Sequence, residues 1–121
     1  MIDVRAAHPY EAITRFILAW IECLVRGEYS AADALVDEFE GDSRIGEYFA
    51  IEDEDGPMQA VDPRVCEWWQ LSFSPCFSAD RGVMVEAYVP LARDYRPMKA
   101  CFVFVPVGDA LRVKFQYCQP S

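Results

Sequence analysis

WWQLSFSPCFSADRGVMVEAYVPLARDYRPMKACFVFVPVGDALRVKFQYC, residues Trp68 to Cys118, reads as four β-strands in a row, each turning back on the last. Both ends of this meander alternate with a period of two, which is the signature of a strand with one buried face. In the first strand Trp69, Leu71, Phe73 and Phe77 alternate with Gln70, Ser72, Ser74 and Cys76. In the last, Leu111, Val113, Phe115 and Tyr117 form the oily set, and Arg112, Lys114, Gln116 and Cys118 the wetter one. The third strand, Ala100 to Val107, is apolar on both faces, as an interior strand with cover on both sides should be. Ala79-Asp80-Arg81-Gly82 joins strands one and two, Ala92 to Met98 joins two and three, and Gly108-Asp109 makes a two-residue hairpin loop. With that loop, Val107 faces Ala110 and Phe104 faces Val113, so Phe102, Phe104, Val113 and Phe115 share a face on which helices should pack.

Upstream, Pro9 suits a first helical turn because its missing N–H would be unpaired there. From it Ile13, Phe16, Ile17, Trp20, Ile21 and Leu24 recur at helical spacing, and Gly27 offers a left-handed stop. Ser30 with Asp33 resembles a capping box, which predicts a second helix over Ala31 to Phe39, ended by Gly41. Trp69, Phe73, Phe104 and Phe115 are expected on the helix-covered side with Phe16, Ile17 and Trp20. Between Gly41 and Asp62 the pattern is weak: Ile45, Tyr48 and Phe49 suit one helical turn or a short strand, and Glu52 to Asp55 run into Gly56-Pro57 as a solvated acidic loop. The fold class is therefore α+β, with N-terminal helices packed on a curved antiparallel meander of four or more strands.

At 121 residues the chain has the length of one domain, 1–121, and 53% hydrophobic and 14% aromatic residues supply a core. No apolar run approaches the ~20 residues that span a bilayer, and Met1 to His8 lacks a signal-peptide pattern, so the expectation is a cytoplasmic protein with no membrane partner. Five cysteines, an odd number without a Cys-x-x-Cys pair, read as reduced thiols packed as small apolar groups. With His8 the sole histidine and no ligand spacing among the cysteines, no metal or other cofactor is expected.

Charge is unevenly placed. Residues 1–62 hold 15 acids against 4 bases, a net −11, whereas residues 63–121 hold 5 against 7, a net +2. This balance disfavours nucleic acid, and no nucleic-acid partner is expected, since phosphate neutralisation needs clustered Lys and Arg. Arg93, Arg96 and Lys99 make only a small basic group around a loop.

Two N-terminal helices joined by Arg26-Gly27-Glu28-Tyr29 and followed by a curved meander resemble the nuclear-transport-factor-like superfamily of cone-shaped α+β domains. The likeness lies in Ile13 to Leu35, ITRFILAWIECLVRGEYSAADAL, and in the strand order. It implies a space between helices and concave sheet that different members use for catalysis, ligand binding, subunit contacts or neutralising a bacterial toxin. Fold alone does not choose among these. The chain departs from the family where a third helix is expected, because Gly41 to Asp62 is acidic and broken by Gly56-Pro57.

No residue carries a catalytic signature. His8 precedes Pro9 at a helix start, where a capping or exposed role is expected. Glu86, between Val85 and Ala87 in the second strand, should lie on the face away from the helices, where an ion pair with Arg112 or Lys114 is the plain reading. Ser72, Ser74 and Ser78 lack a Gly-x-Ser-x-Gly elbow. Counting back from Gly56 places Ile51 where a calcium-binding EF-hand needs its first Asp. An enzyme is the less favoured class.

Two functions remain. Between Asp37 and Asp55 nine acids face Arg44 alone, interleaved with Phe39, Ile45, Tyr48, Phe49 and Ile51. Asp37, Glu38, Glu40, Asp42, Glu47, Tyr48, Phe49, Glu52, Asp53, Glu54 and Asp55 would steer a basic protein into range and offer it aromatic anchors, as an immunity protein does for a toxin. The alternative is a small-molecule binder or enzyme whose pocket is lined by Trp20, Trp69, Phe73, Glu86, Phe104 and Phe115. A homodimer is compatible with either.

Overall fold

The computed structural model describes residues 1–5, 8–41, 44, 52–53, 56–57, 59–67, 69, 71–75, 82–92 and 97–120. It is an α+β fold in which a curled, largely antiparallel sheet receives a long N-terminal helix. In chain order the elements are β1 (Ile2–Asp3), α1 (Pro9–Val25), α2 (Tyr29–Ala34), β2 (Glu38–Phe39), β3 (Glu52–Asp53), β4 (Gly56–Pro57), a 3-10 turn (Pro63–Val65), β5 (Leu71–Pro75), β6 (Val83–Val89), β7 (Met98–Val107) and β8 (Ala110–Pro120).

The expected meander is present: β5, β6, β7 and β8 are successive antiparallel neighbours, with β7 in the interior. Gly108, at φ 61°, turns the last hairpin, and Val107 faces Ala110 while Phe104 faces Val113 as anticipated. Two short strands absent from the sequence reading line the far edge of β8: β1 runs antiparallel beside Leu111 and Ala110, and β2 runs parallel beside Lys114 and Phe115.

Helix α1 begins at Pro9 as read. The His8 imidazole caps it, its Nδ1 accepting from the Tyr10 N–H at 3.2 Å, which satisfies one of the donors that a helix start leaves unpaired. It ends in a Schellman arrangement: Glu28 N–H donates to Cys23 O, Gly27 N–H to Leu24 O, and Gly27 takes the left-handed φ of 72° that a side chain would resist. The buried stripe Ile13, Ile17, Trp20, Ile21 and Leu24 lies against Val85, Phe102, Phe104, Val113 and Phe115 from the sheet. Phe16, half-buried, meets Phe102 and Phe104 edge-on at 6.1 and 5.7 Å.

Three expectations need correction. The second helix is six residues, Tyr29–Ala34, begins at Glu28 without a side-chain cap, and does not include Phe39. Phe39 belongs to β2, because the open edge of β8 supplies hydrogen-bond partners that a continued helix would forfeit: Asp37 N–H donates to Val113 O and Glu40 N–H to Phe115 O. Glu52–Asp53 and Gly56–Pro57 form a short antiparallel ladder rather than an unpaired loop. Lastly, a β-bulge in the β7–β8 pair breaks the alternation of the last strand. Phe102 faces Phe115 but Cys101 faces Tyr117, so Gln116 is the extra residue. Beyond it the faces exchange: Cys118 is 4% exposed in the core and Tyr117, expected on the oily face, points outward at 37%.

Asp37 ties the β2 edge to the sheet. Its Oδ2 accepts from the Val113 N–H at 2.8 Å and its Oδ1 from the Met1 ammonium at 2.8 Å. Burial would raise this carboxyl's pKa, but the hydrogen bonds from Met1 and Val113 and the nearby positive charges outweigh it and hold it below the usual range. A carboxylate with a depressed folded pKa stabilises above its unfolded pKa, and that stabilisation is lost as pH falls through the folded value. Asp37→Ala should therefore cost about 1–2 kcal/mol at neutral pH. In urea titrations the gap to wild type should close below about pH 4. A gap that is constant down to pH 2 would show that the charge plays no part.

Candidate functional site

The acidic edge is built from β8 outward. Asp37 is taken up by the clamp, which makes it a structural residue before it can be a binding one. Glu38, opposite Lys114 in register, reaches Arg112 at 3.8 Å, with both side chains about half exposed. Phe39 packs on Phe115 at 6.0 Å, and the Arg44 guanidinium lies 3.9 Å over the Phe39 ring, so the segment's single base covers its first aromatic. Glu40 is exposed, and no hydrogen bond or ion pair engages its side chain among the described residues. Glu52 and Asp53 are placed by their backbone in β3. Asp42, Glu47, Tyr48, Phe49, Glu54 and Asp55 lie outside the described residues, as does the expected turn or strand at Ile45.

The six residues read as a pocket are divided among the core, its rim and the opposite face of the sheet. Trp20, Phe104 and Phe115 are at most 1% exposed and sit in the core. Phe102 fills the space between them, 4.9 Å from Trp20 with rings at 89° and 5.4 Å from Phe115. The Trp20 Nε1–H is buried without a hydrogen-bond partner among the described residues, and the ring standing edge-to-face with its indole is Phe102. Trp69 and Phe73 are on the helix side as expected, but at its rim. The Trp69 indole donates to Tyr88 O at 2.7 Å, and Phe73, 36% exposed, stacks on Tyr10 at 4.8 Å. Glu86 is on the opposite face. A shallow groove beside α1, about 100 Å³ and lined by Leu18, Val25 and Pro63, is well below the ~300 Å³ of a ligand pocket, and its charges are paired as Glu22 with Arg26 and Asp62 with Arg64.

The face of the sheet turned away from α1 carries a cluster that the sequence reading did not assemble. Ser72, Glu86, Cys101 and Tyr117 form one row across β5, β6, β7 and β8, and Tyr88, Lys99 and Gln119 form the next. The anticipated ion pair of Glu86 with Arg112 or Lys114 is not made, because two strand spacings separate β6 from β8 and Arg112 turns to Glu38 instead. Among the described residues Glu86 accepts only a long hydrogen bond, from the Tyr88 hydroxyl at 3.4 Å. Beneath them Cys101, fully buried, donates to Gln116 Oε1 at 3.3 Å. Burial pushes the Cys101 thiol up, and the charges of Glu86 and Glu40 add to this against the hydrogen bond from Tyr117 and the charge of Lys99. The Tyr117 phenol is raised as well, by Cys101 beside it first, then by burial and by Glu86. These groups stay protonated at neutral pH, which suits recognition and not nucleophilic attack. The signal for the cluster was Tyr117, hidden by the bulge.

Cys23, Cys66, Cys101 and Cys118 are free thiols, and burial raises Cys118 strongly. Cys76 lies outside the described residues. Intact masses with and without reductant should coincide, and Cys101 and Cys118 should react with a thiol reagent only on unfolding. A native mass lower by two hydrogens, restored by reductant, would establish a disulfide.

Among the described residues no three metal-ligating side chains gather, and no helix is long and apolar enough to cross a membrane. Comparison of the chain with family models, with curated proteins and with solved structures returns no match.

Proposed function

We propose that the protein is a non-catalytic interaction protein that binds a basic protein partner through the acidic edge of its sheet, in the cytoplasm, and that neutralising a basic toxin, as a bacterial immunity protein does, is the role this surface serves. The observation that carries the reading is the placement of the acidic run. Its first residues are fastened along β8 by Asp37 and β2, so Glu38 and Glu40 are held at a sheet edge with the remaining acids following directly in the chain. Fixed like charge at an edge raises the encounter rate of an oppositely charged protein and selects against acidic ones. The resemblance of Ile13 to Leu35 and the strand order to the nuclear-transport-factor-like superfamily agrees with such a role and adds no residue to it. The pocket reading loses ground because Trp20, Phe104 and Phe115 are packed by Phe102.

The test is capture from the native host of one stoichiometric basic protein, followed by its binding kinetics with a variant whose acids from Glu38 to Asp55 are replaced by Gln and Asn. An association rate at low salt equal to that of wild type would sink the reading.

A further inference from the structure

The geometry points to the outer-face cluster of Glu86, Tyr88 and Tyr117 as the seat for an arginine side chain of the partner. This rests on the basic-partner reading above and names its anchor. Glu86 is half-buried on the face turned away from α1, and among the described residues its one hydrogen bond, from Tyr88, leaves most of its four lone-pair sites open. No described cation is within ion-pair reach of it, although Arg112 and Lys114 stand on the same face. Two phenols neighbour it, Tyr88 two residues along its own strand and Tyr117 in its row across β7, the latter 37% exposed. A carboxylate beside aromatic rings fits a guanidinium better than an ammonium, because the planar fork binds carboxylate oxygens in pairs while its faces stack on rings.

The site is continuous with the acidic edge. Glu40, held to Phe115 O by its backbone N–H, is near enough for its charge to act on Cys101, the floor of the cluster. Lys99, opposite Tyr88 in register, is the positive charge in the row next to Glu86, and it has no acidic partner among the described residues. It should weaken cation binding, which gives the assignment a second sign to test.

The probe is fluorescently labelled hexa-arginine, with hexa-lysine as the equal-charge control, titrated by anisotropy at low salt. Wild type should bind hexa-arginine several-fold more tightly than hexa-lysine. Glu86→Gln should weaken hexa-arginine about tenfold and erase the preference, as should Tyr117→Leu, whereas Lys99→Gln should tighten both peptides several-fold. Equal binding of the two peptides by wild type, or hexa-arginine affinity unchanged in folded Glu86→Gln, overturns the assignment. So does a wild-type dimer that Glu86→Gln dissociates, since that result gives the face to a second copy of the chain. The acid-depleted variant keeps the two readings apart. With Glu86 intact it should retain the arginine preference even as its affinity falls; loss of the preference there, with retention in Glu86→Gln, removes this seat and leaves the acidic edge standing.

Discussion

Phe102→Ala is expected to cost about 3–5 kcal/mol, the largest single loss of stability in this chain. Phe102 is fully buried in an interior strand and meets Phe16, Trp20, Phe104 and Phe115, with ring centroids 6.1, 4.9, 6.0 and 5.4 Å away. Truncation removes its own burial and opens a hole that four rings on three different elements border, and rings held by a helix and two strands cannot all collapse into it. Against the 5–15 kcal/mol that hold a typical domain folded, a loss of about this size should lower the melting temperature by roughly 10–20 °C. Phe73→Ala is the control, since that ring is 36% exposed and rests on Tyr10 alone among the described rings. It should cost less than about 1.5 kcal/mol. Urea denaturation of both variants decides the matter; a Phe102→Ala loss no greater than that of Phe73→Ala would mean that the sheet and α1 are not joined through this residue.

The second large effect is kinetic. Replacing Glu38, Glu40, Asp42, Glu47, Glu52, Asp53, Glu54 and Asp55 together by Gln or Asn, with Asp37 left in place, should slow association with a captured basic partner about 10- to 100-fold at low salt. The slope of the rate against ionic strength should flatten with it, because screening has less charge left to act on. Folding should change little. The Glu38–Arg112 contact, at 3.8 Å between half-exposed side chains, is worth less than about 1 kcal/mol. Tyr48→Ala or Phe49→Ala should act on the other rate, speeding dissociation, if either ring anchors the partner. Stopped-flow mixing at two salt concentrations separates the effects. Loss of affinity entirely through dissociation in the acid-depleted variant would assign these side chains to contact and not to steering.

What could be read from the letters follows from how locally each feature is encoded. Helix α1 was legible because Pro9, the buried stripe and Gly27 sit within one continuous run, and the last hairpin because Gly108-Asp109 imposes its register on the residues flanking it. The strand β2 was not legible. Phe39 continues a helix-compatible pattern, and only the open edge of β8, some 75 residues further along, makes the extended form better there. The acidic candidates were visible by composition, yet nothing local could tell that Asp37 would be engaged by a backbone N–H and Glu38 by Arg112. Glu86 was placed on its correct face by counting. Its neighbours Cys101, Gln116 and Tyr117 escaped because simple alternation fails after Phe115.

That failure is governed by parity. In a strand each residue is a half-turn from the next, so the bulge at Gln116 acts as a phase inversion on everything after it. Regular pairing with Gln116 kept would set Gln116 opposite Cys101, turning a phenol into the core where a thiol now sits and a thiol out to the position of the phenol, whereas deleting Gln116 would close the bulge and leave both where they are. The inverted stretch is only Tyr117 to Pro120, and the error would not propagate back through the hairpin to β7. The bulge thus sets both the filling of one end of the core and the chemistry of the opposite surface.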